Sequence, residues 1–182
     1  MGEERTMILL EDTRQQTGKH TKKESYFNKH GIEVKRTKLY VGDYTLPTNQ
    51  SICIDTKQDI GELISDLVDQ HDRFRGECLR AQEAGIKLII LVEHDGEWCD
   101  YKKTIWNKPV RKLEDLAQWK NPRAFIFRGG KQLYPRATKG VTLLKMCSTM
   151  RKKYGVEFQF CESGECGKRI VEILTHETSG TV

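Results

Sequence analysis

Asp43, Asp55 and Lys57 stand close enough in the chain to share one piece of chemistry. Residues 39–46 and 51–56 are two extended runs separated by the turn Pro47-Thr48-Asn49-Gln50, so residues 39–57 are expected to form a hairpin. Residues two apart on a strand face the same side, which groups Asp55 with Lys57. The hairpin can set Asp43, which follows Gly42, opposite them. Two carboxylates and an ammonium on one patch suit a hard divalent cation, with the lysine facing an anion or a water. Mg²⁺ is commonly held by one or two carboxylates, while waters and substrate phosphate fill its other positions. A water on that metal, or beside the lysine, can attack a phosphodiester in line. By itself, Asp55-Thr56-Lys57 is a weak signal and reads first as a surface strand end with a weak ion pair.

The elements expected to hold this hairpin alternate along the chain. Strands are expected at 7–10, 32–36, 87–92, 124–127 and 157–160, and the strand at 87–92 is apolar enough to be central. Ile60, Leu63, Ile64, Leu67 and Val68 make one helical face, continued by Phe74, Cys78 and Ala81 towards Gly85. Further helices are expected at 19–29, 113–119, 138–153 and 167–174, and 95–110 reads as a long polar loop. Alternating strands and helices imply an α/β fold with a central mixed sheet flanked by helices. The expected organisation is one domain over 1–176, divided into 7–94, a basic loop 95–112 and a C-terminal part 113–176, with a frayed tail at 177–182.

Charge narrows the partner. The net charge of +5 hides two basic segments: 19–38 carries a net +5 and 101–139 a net +9, so the remainder carries −9. Basic segments beside acidic ones suit a protein that grips phosphates and also holds a cation, although a single lysine-rich stretch is more often plain solvated surface. Trp98, Tyr101, Trp106 and Tyr134 are placed to stack on splayed bases, and Trp119 is expected in the core beside Leu113 and Leu116. The six cysteines show no Cys-x-x-Cys spacing and suggest a reducing, intracellular, cytoplasmic setting. No apolar run reaches the roughly 20 residues of a membrane span, and no signal-peptide core is seen.

The hairpin resembles the nuclease signature of XPF/Mus-type structure-specific endonucleases, of the PD-(D/E)xK superfamily: Gly-Asp, a spacer, Glu-Arg-Lys, three residues, Asp. Here it stands as Gly42-Asp43-Tyr44, then Asp55-Thr56-Lys57. Asp12-Thr13-Arg14-Gln15 is similar to the family's Asp-x-Arg-Glu. The run from Ile60 to Leu67 resembles Asp-Leu-Ile-x-Ser-Leu. Arg73-Phe74 with Glu77 and Arg80 resembles Arg-Phe-x-x-Gln-x-x-Arg, and the strand to Glu93 matches a family strand ending in glutamate.

The resemblance implies a restriction-endonuclease-like fold and a Mg²⁺- or Mn²⁺-dependent endodeoxyribonuclease acting on branched or flapped DNA, in repair or recombination. It assigns the metal to Asp43, Asp55 and the Thr56 carbonyl, with Asp12 lining the same pocket. Lys57 would position or deprotonate the attacking water, or neutralise the phosphorane. Arg14 and Arg73 would contact phosphates or brace the acids; Arg73 also reads as a helix ion pair with Asp69. Glu62 and Glu93 would stand behind the ligands, Glu93 equally as an ordinary strand-end residue. Lys102, Lys103 and Lys108 would grip DNA through the basic loop. A homodimer stays open. Thr56 in place of arginine, and Gly61 where an acid is expected, leave a second reading: a weak or inactive nuclease-like DNA-binding or partner subunit.

Overall fold

The computed structural model describes residues 6–16, 18, 20–99 and 104–176. Six strands form one mixed sheet in the order β10-β5-β4-β3-β1-β2. They are β1 (Ile8–Asp12), β2 (Glu33–Thr37), β3 (Tyr44–Leu46), β4 (Asn49–Lys57), β5 (Lys87–Glu93) and β10 (Glu157–Cys161). Only β3 runs against its neighbours. The carboxyl ends of β1, β4, β5 and β10 therefore meet at one edge, where open α/β sheets place their ligands.

Alternation along the central strands sorts the core into two layers. Ile52 and Ile54 of β4, with Ile89 and Leu91 of β5, pack towards α1 (Thr21–Lys29) and α5 (Cys166–His176). Cys53, Leu88, Ile90 and Val92 pack towards α2 (Ile60–Ile64), α3 (His71–Glu83) and α4 (Gly140–Tyr154). By the same period, Asp55 and Lys57 face the α2–α3 side, and Thr56 faces α1. Trp119 is buried beside Leu113 and Leu116, as the sequence suggests. Cys53, Cys78, Cys147, Cys161 and Cys166 are buried free thiols. No helix among the described residues is long and apolar enough to cross a membrane.

Several boundaries differ from the sequence expectations. Residues 95–110 are not a plain loop: Glu97–Cys99 (β6) and Thr104–Asn107 (β7) pair, with Trp98 opposite Ile105, because large β-formers favour a hairpin. The extended run expected from Leu39 becomes a strand only at Tyr44, because the segment before it is pinned by side chains at the strand ends. Leu113–Gln118 is a 3₁₀-helix. The strand expected at 124–127 is largely a second 3₁₀-helix, Pro122–Phe125, started by Asn121 accepting from the Arg123 N–H. It is followed by a short hairpin of β8 (Phe127–Arg128) and β9 (Lys131–Gln132). The helix after β4 is interrupted by a π-helical turn, Ser65–Asp69, in which the Gln70 N–H donates to Ser65 O at 2.8 Å. The tail at 177–182 lies outside the described residues.

Helix α4 docks on the first 3₁₀-helix through Gly140, where a Cβ would overlap the carbonyl oxygens of Leu116 and Trp119. Both obstacles are backbone and cannot swing away. Gly140→Ala is expected to lower stability by about 1–3 kcal/mol, read as a lower urea midpoint at unchanged m-value.

Candidate active site

A cleft of about 360 Å³ opens at the carboxyl ends of the strands. It brings together Arg14, Asp43, Asp55, Thr56, Lys57 and Arg73, all expected from the sequence, with Glu62, Asp66 and Glu77. Five carboxylates (Asp43, Asp55, Glu62, Asp66, Glu77) face three cationic side chains (Arg14, Lys57, Arg73), leaving a net −2.

Strand β1 supplies the first wall. Asp12 is 1% exposed and is not among the residues that line the cleft. Its carboxylate accepts from Arg14 N and Nε, both at 2.7 Å, from Arg14 Nη2 at 2.9 Å and from Leu39 N at 2.8 Å. Burial pushes the Asp12 carboxyl up, but the Arg14 side chain and the two backbone N–H groups outweigh it and hold the pKa below its ordinary value. Asp12 thus aims Arg14 at the cleft and pins the segment leading to Asp43.

Gly42 makes the turn into Asp43 at φ +72°, and a Cβ there would come within 3.0 Å of Ile54 O. Its N–H donates to Glu77 Oε1 at 2.9 Å. Asp43 N donates to Ile54 O at 2.7 Å, which ties Asp43 to β4. Asp43 Oδ2 accepts from both the N–H and the hydroxyl of Thr56, each at 2.8 Å.

On the other side of β4, Lys57 Nζ lies 2.8 Å from Asp55 Oδ2 and 2.6 Å from Asp66 Oδ2. Both oxygens are buried and neither makes an aligned hydrogen bond, so the ammonium holds them by charge. Burial pulls the Lys57 pKa down, but Asp55 and Asp66 outweigh it and hold it above its ordinary value. Asp55 goes the other way from its usual acidity. Burial, reinforced by Asp43 and Glu77, holds its carboxyl well above its ordinary value, and Lys57 offsets only part of this. Arg73 pairs with Asp66 Oδ1 at 2.5 Å rather than with Asp69. The helix is broken at Gln70 (φ −117°, ψ 30°), so i,i+4 geometry does not connect Asp69 to Arg73.

Asp66 and Lys23 are not singled out from the sequence, and Glu77 enters only as part of the resemblance, with no role. Asp66 borders the apolar stripe of α2, but the π-helical turn that faces it to Lys57 has no sequence signature. Glu77 lies four residues after Arg73 on the same helix face, a readable signal. Lys23 is 3% exposed, donates to Thr56 Oγ1 at 3.3 Å and lies 3.5 Å from Glu93 Oε1. Glu93, Lys23, Thr56 and Asp43 thus form one polar chain through the sheet edge. A buried cation from α1 thus approaches Thr56, the position at which the signature it resembles has arginine. Phe27, four residues on and fully buried, was the available sign that Lys23 points inward.

Glu62 accepts from Gln58 N at 2.7 Å, and its N–H donates to Asp59 Oδ1 at 2.8 Å, so it caps α2 while lining the cleft. Lys108 is exposed and is not among the residues lining the cleft. Tyr101, Lys102 and Lys103 lie outside the described residues.

Among the described residues, no three His, Cys, Asp or Glu side chains form a ready metal cage. The residues nevertheless fit a hard divalent cation of the two-carboxylate kind. The acids outnumber the cations by two, and Asp55 is crowded by Asp43 and Glu77 in a buried position.

Such a sheet, with acids and a lysine at the carboxyl ends of its strands, makes this an α/β domain with an acidic cleft at its ligand-binding edge. The chain belongs to the ERCC4 domain family, whose model matches residues 12–172. Its fold is similar to that of XPF from Aeropyrum pernix in complex with DNA, with a TM-score of 0.59 and 18% identity over 95% of this chain. It is also similar to XPF from Aeropyrum pernix described without DNA, with a TM-score of 0.58 and 15% identity over 95% of this chain. The chain spans 66% of each of those structures. No curated protein matches it.

Lys23→Ala is expected to destabilise the fold by about 3 kcal/mol, because it leaves Glu93 buried without its cation. The double variant Lys23→Met/Glu93→Gln should recover most of that loss in urea unfolding. A second expectation concerns pH. An acid whose folded pKa is raised costs stability as pH climbs from its ordinary value, 3.8, through the raised folded value. In EDTA, Asp55→Asn should therefore gain melting temperature relative to the wild type as pH increases over that window, and divalent metal should shrink the gain.

Proposed function

We propose that the chain is a divalent-metal-dependent endodeoxyribonuclease that hydrolyses phosphodiesters in branched or flapped DNA, in repair or recombination. The observation that carries this reading is the convergence of Asp43, Asp55 and Lys57 in a cleft of net −2 at the carboxyl ends of the parallel strands. Membership of the ERCC4 domain family, and a fold neighbour in complex with DNA, support DNA as the substrate.

Asp43, Asp55 and the Thr56 carbonyl would hold Mg²⁺ or Mn²⁺, which when bound supplies Lewis-acid activation of the phosphate and an acidified water. Thr56 orients the Asp43 carboxylate through two hydrogen bonds. Lys57, kept protonated by Asp55 and Asp66, stabilises charge developing on the phosphorane rather than acting as a base. Arg14 and Arg73, whose side chains are 58% and 59% exposed, meet the phosphates on either side. Asp12 acts through Arg14. Lys102, Lys103 and Lys108 add grip outside the cleft.

A second reading, a weak or inactive DNA-binding subunit, is favoured by one observation. Asp43 Oδ2 is already committed to Thr56, and the Lys57 ammonium to two acids. Incubation with labelled single-stranded, duplex, flap and branched DNA, in Mn²⁺ and in EDTA, separates the two readings. Metal-dependent cleavage should be lost by about 10²–10³ in Lys57→Gln, with the melting temperature in Mn²⁺ measured alongside to exclude unfolding. Binding of all four DNAs without cleavage would leave the second reading.

A further inference from the structure

Lys23 is a buried cation that the proposed chemistry does not use. It stands on α1 and is not among the residues lining the acidic cleft. Whatever it does to a group bound there, it does through Thr56, which lines the cleft. Burying a lysine is costly unless the charge is paired and hydrogen-bonded, and this one is held on several sides. Glu93 Oε1 lies 3.5 Å from its Nζ, and Thr56 Oγ1 accepts from it at 3.3 Å. The Nζ also sits over the ring of Tyr44, 5.9 Å from the centroid. That ring is itself fixed: it is fully buried, and its hydroxyl donates to Glu11 Oε1 at 2.9 Å.

The contact with Thr56 has a direction. A lysine ammonium has only donors, whereas a hydroxyl has a single proton and two lone pairs. Thr56 Oγ1 must therefore accept from Lys23, and its proton goes to Asp43 Oδ2, 2.8 Å away. The Thr56 N–H donates to the same oxygen, also at 2.8 Å. Both donors fall on Oδ2, so Thr56 claims one oxygen of Asp43 and leaves Oδ1 to a cation. Without Lys23 the hydroxyl can rotate and set its lone pairs against Asp43 instead of its proton. The carboxylate would then turn away from that repulsion and present its oxygens differently. Groups that orient a metal ligand without touching the metal typically change its affinity by about 10–100-fold.

We infer that Lys23 is a positioning residue of the acidic cleft: from α1 it directs the Thr56 hydroxyl proton onto Asp43 Oδ2 and so reserves Asp43 Oδ1 for a divalent cation. The inference rests on the proposed assignment of that cation to Asp43, and its test reads metal binding rather than cleavage. An ammonium acting only through its charge would repel the metal, so the two roles have opposite signs.

Binding of Mn²⁺ to the full chain is measured by isothermal titration calorimetry, with urea unfolding of each variant alongside. Lys23→Met/Glu93→Gln removes the pair together and leaves neither charge buried alone. It is expected to weaken Mn²⁺ binding by about 10–100-fold. Thr56→Val should weaken it as well, whereas Thr56→Ser keeps the hydroxyl and should bind within about twofold of wild type. Adding the Lys23 and Glu93 changes to Thr56→Val should alter binding by less than about twofold, because the route runs through the hydroxyl. The same loss with and without the Thr56 hydroxyl would mark a merely structural role and overturn the inference. So would unchanged or tighter binding in Lys23→Met/Glu93→Gln, if Asp43→Asn still abolishes it. Mn²⁺ binding that is absent from wild type, or that Asp43→Asn leaves intact, overturns the metal assignment and the inference together. The expected pattern of binding in a protein that cuts no DNA with Mn²⁺ refutes the nuclease reading alone.

Discussion

The ion triad of Lys57 with Asp55 and Asp66 is the constraint around which this sheet edge is organised. A buried ammonium shared by two buried carboxylates carries a large desolvation cost, and removing the ammonium leaves both acids uncompensated. The fold supplies the triad from two elements, the end of β4 and the π-helical turn, so the helix cannot slide along the sheet without breaking it. The apolar face of α2 and the π-helical turn, with Ile60, Leu63 and Leu67 buried in the core, holds the acids in place.

A second network secures the opposite side of the same strand. Thr56 lies between Asp55 and Lys57 in sequence but faces α1, where Lys23, paired with Glu93, reaches it. One strand end is thus clamped from both layers: by charge on the α2–α3 side, and by a hydrogen-bonded chain ending at Asp43 on the α1 side. The Thr56 hydroxyl thus accepts from a buried cation of α1 and donates to Asp43.

The crowding of acids gives the cleft its chemical character. Asp55 resists ionisation where Asp43, Glu77 and burial act on it together, and a divalent cation would relieve all three. Arg14, aimed by Asp12, and Arg73, tethered to Asp66, bring exposed guanidinium groups to the rim without neutralising the centre. Exposed guanidinium groups at the rim thus flank a centre in which acids outnumber the one buried ammonium, Lys57.

Local pattern alone determined the α/β class, most of the strands and long helices, and the grouping of Asp55 with Lys57, because period-2 alternation and helical stripes are set by nearest neighbours in the chain. The inward position of Trp119 was legible for the same reason, from its place beside Leu113 and Leu116. Tertiary structure decided what depends on contacts between distant segments. Asp66 reaches Lys57 only because a π-helical turn breaks an otherwise regular helix. Lys23 reaches Thr56 only because α1 crosses the carboxyl end of β4. Asp12 meets Leu39 and aims Arg14 only because the segment before β3 folds back along β1. These are long-range charge and hydrogen-bond pairings, and no period within a single segment encodes them.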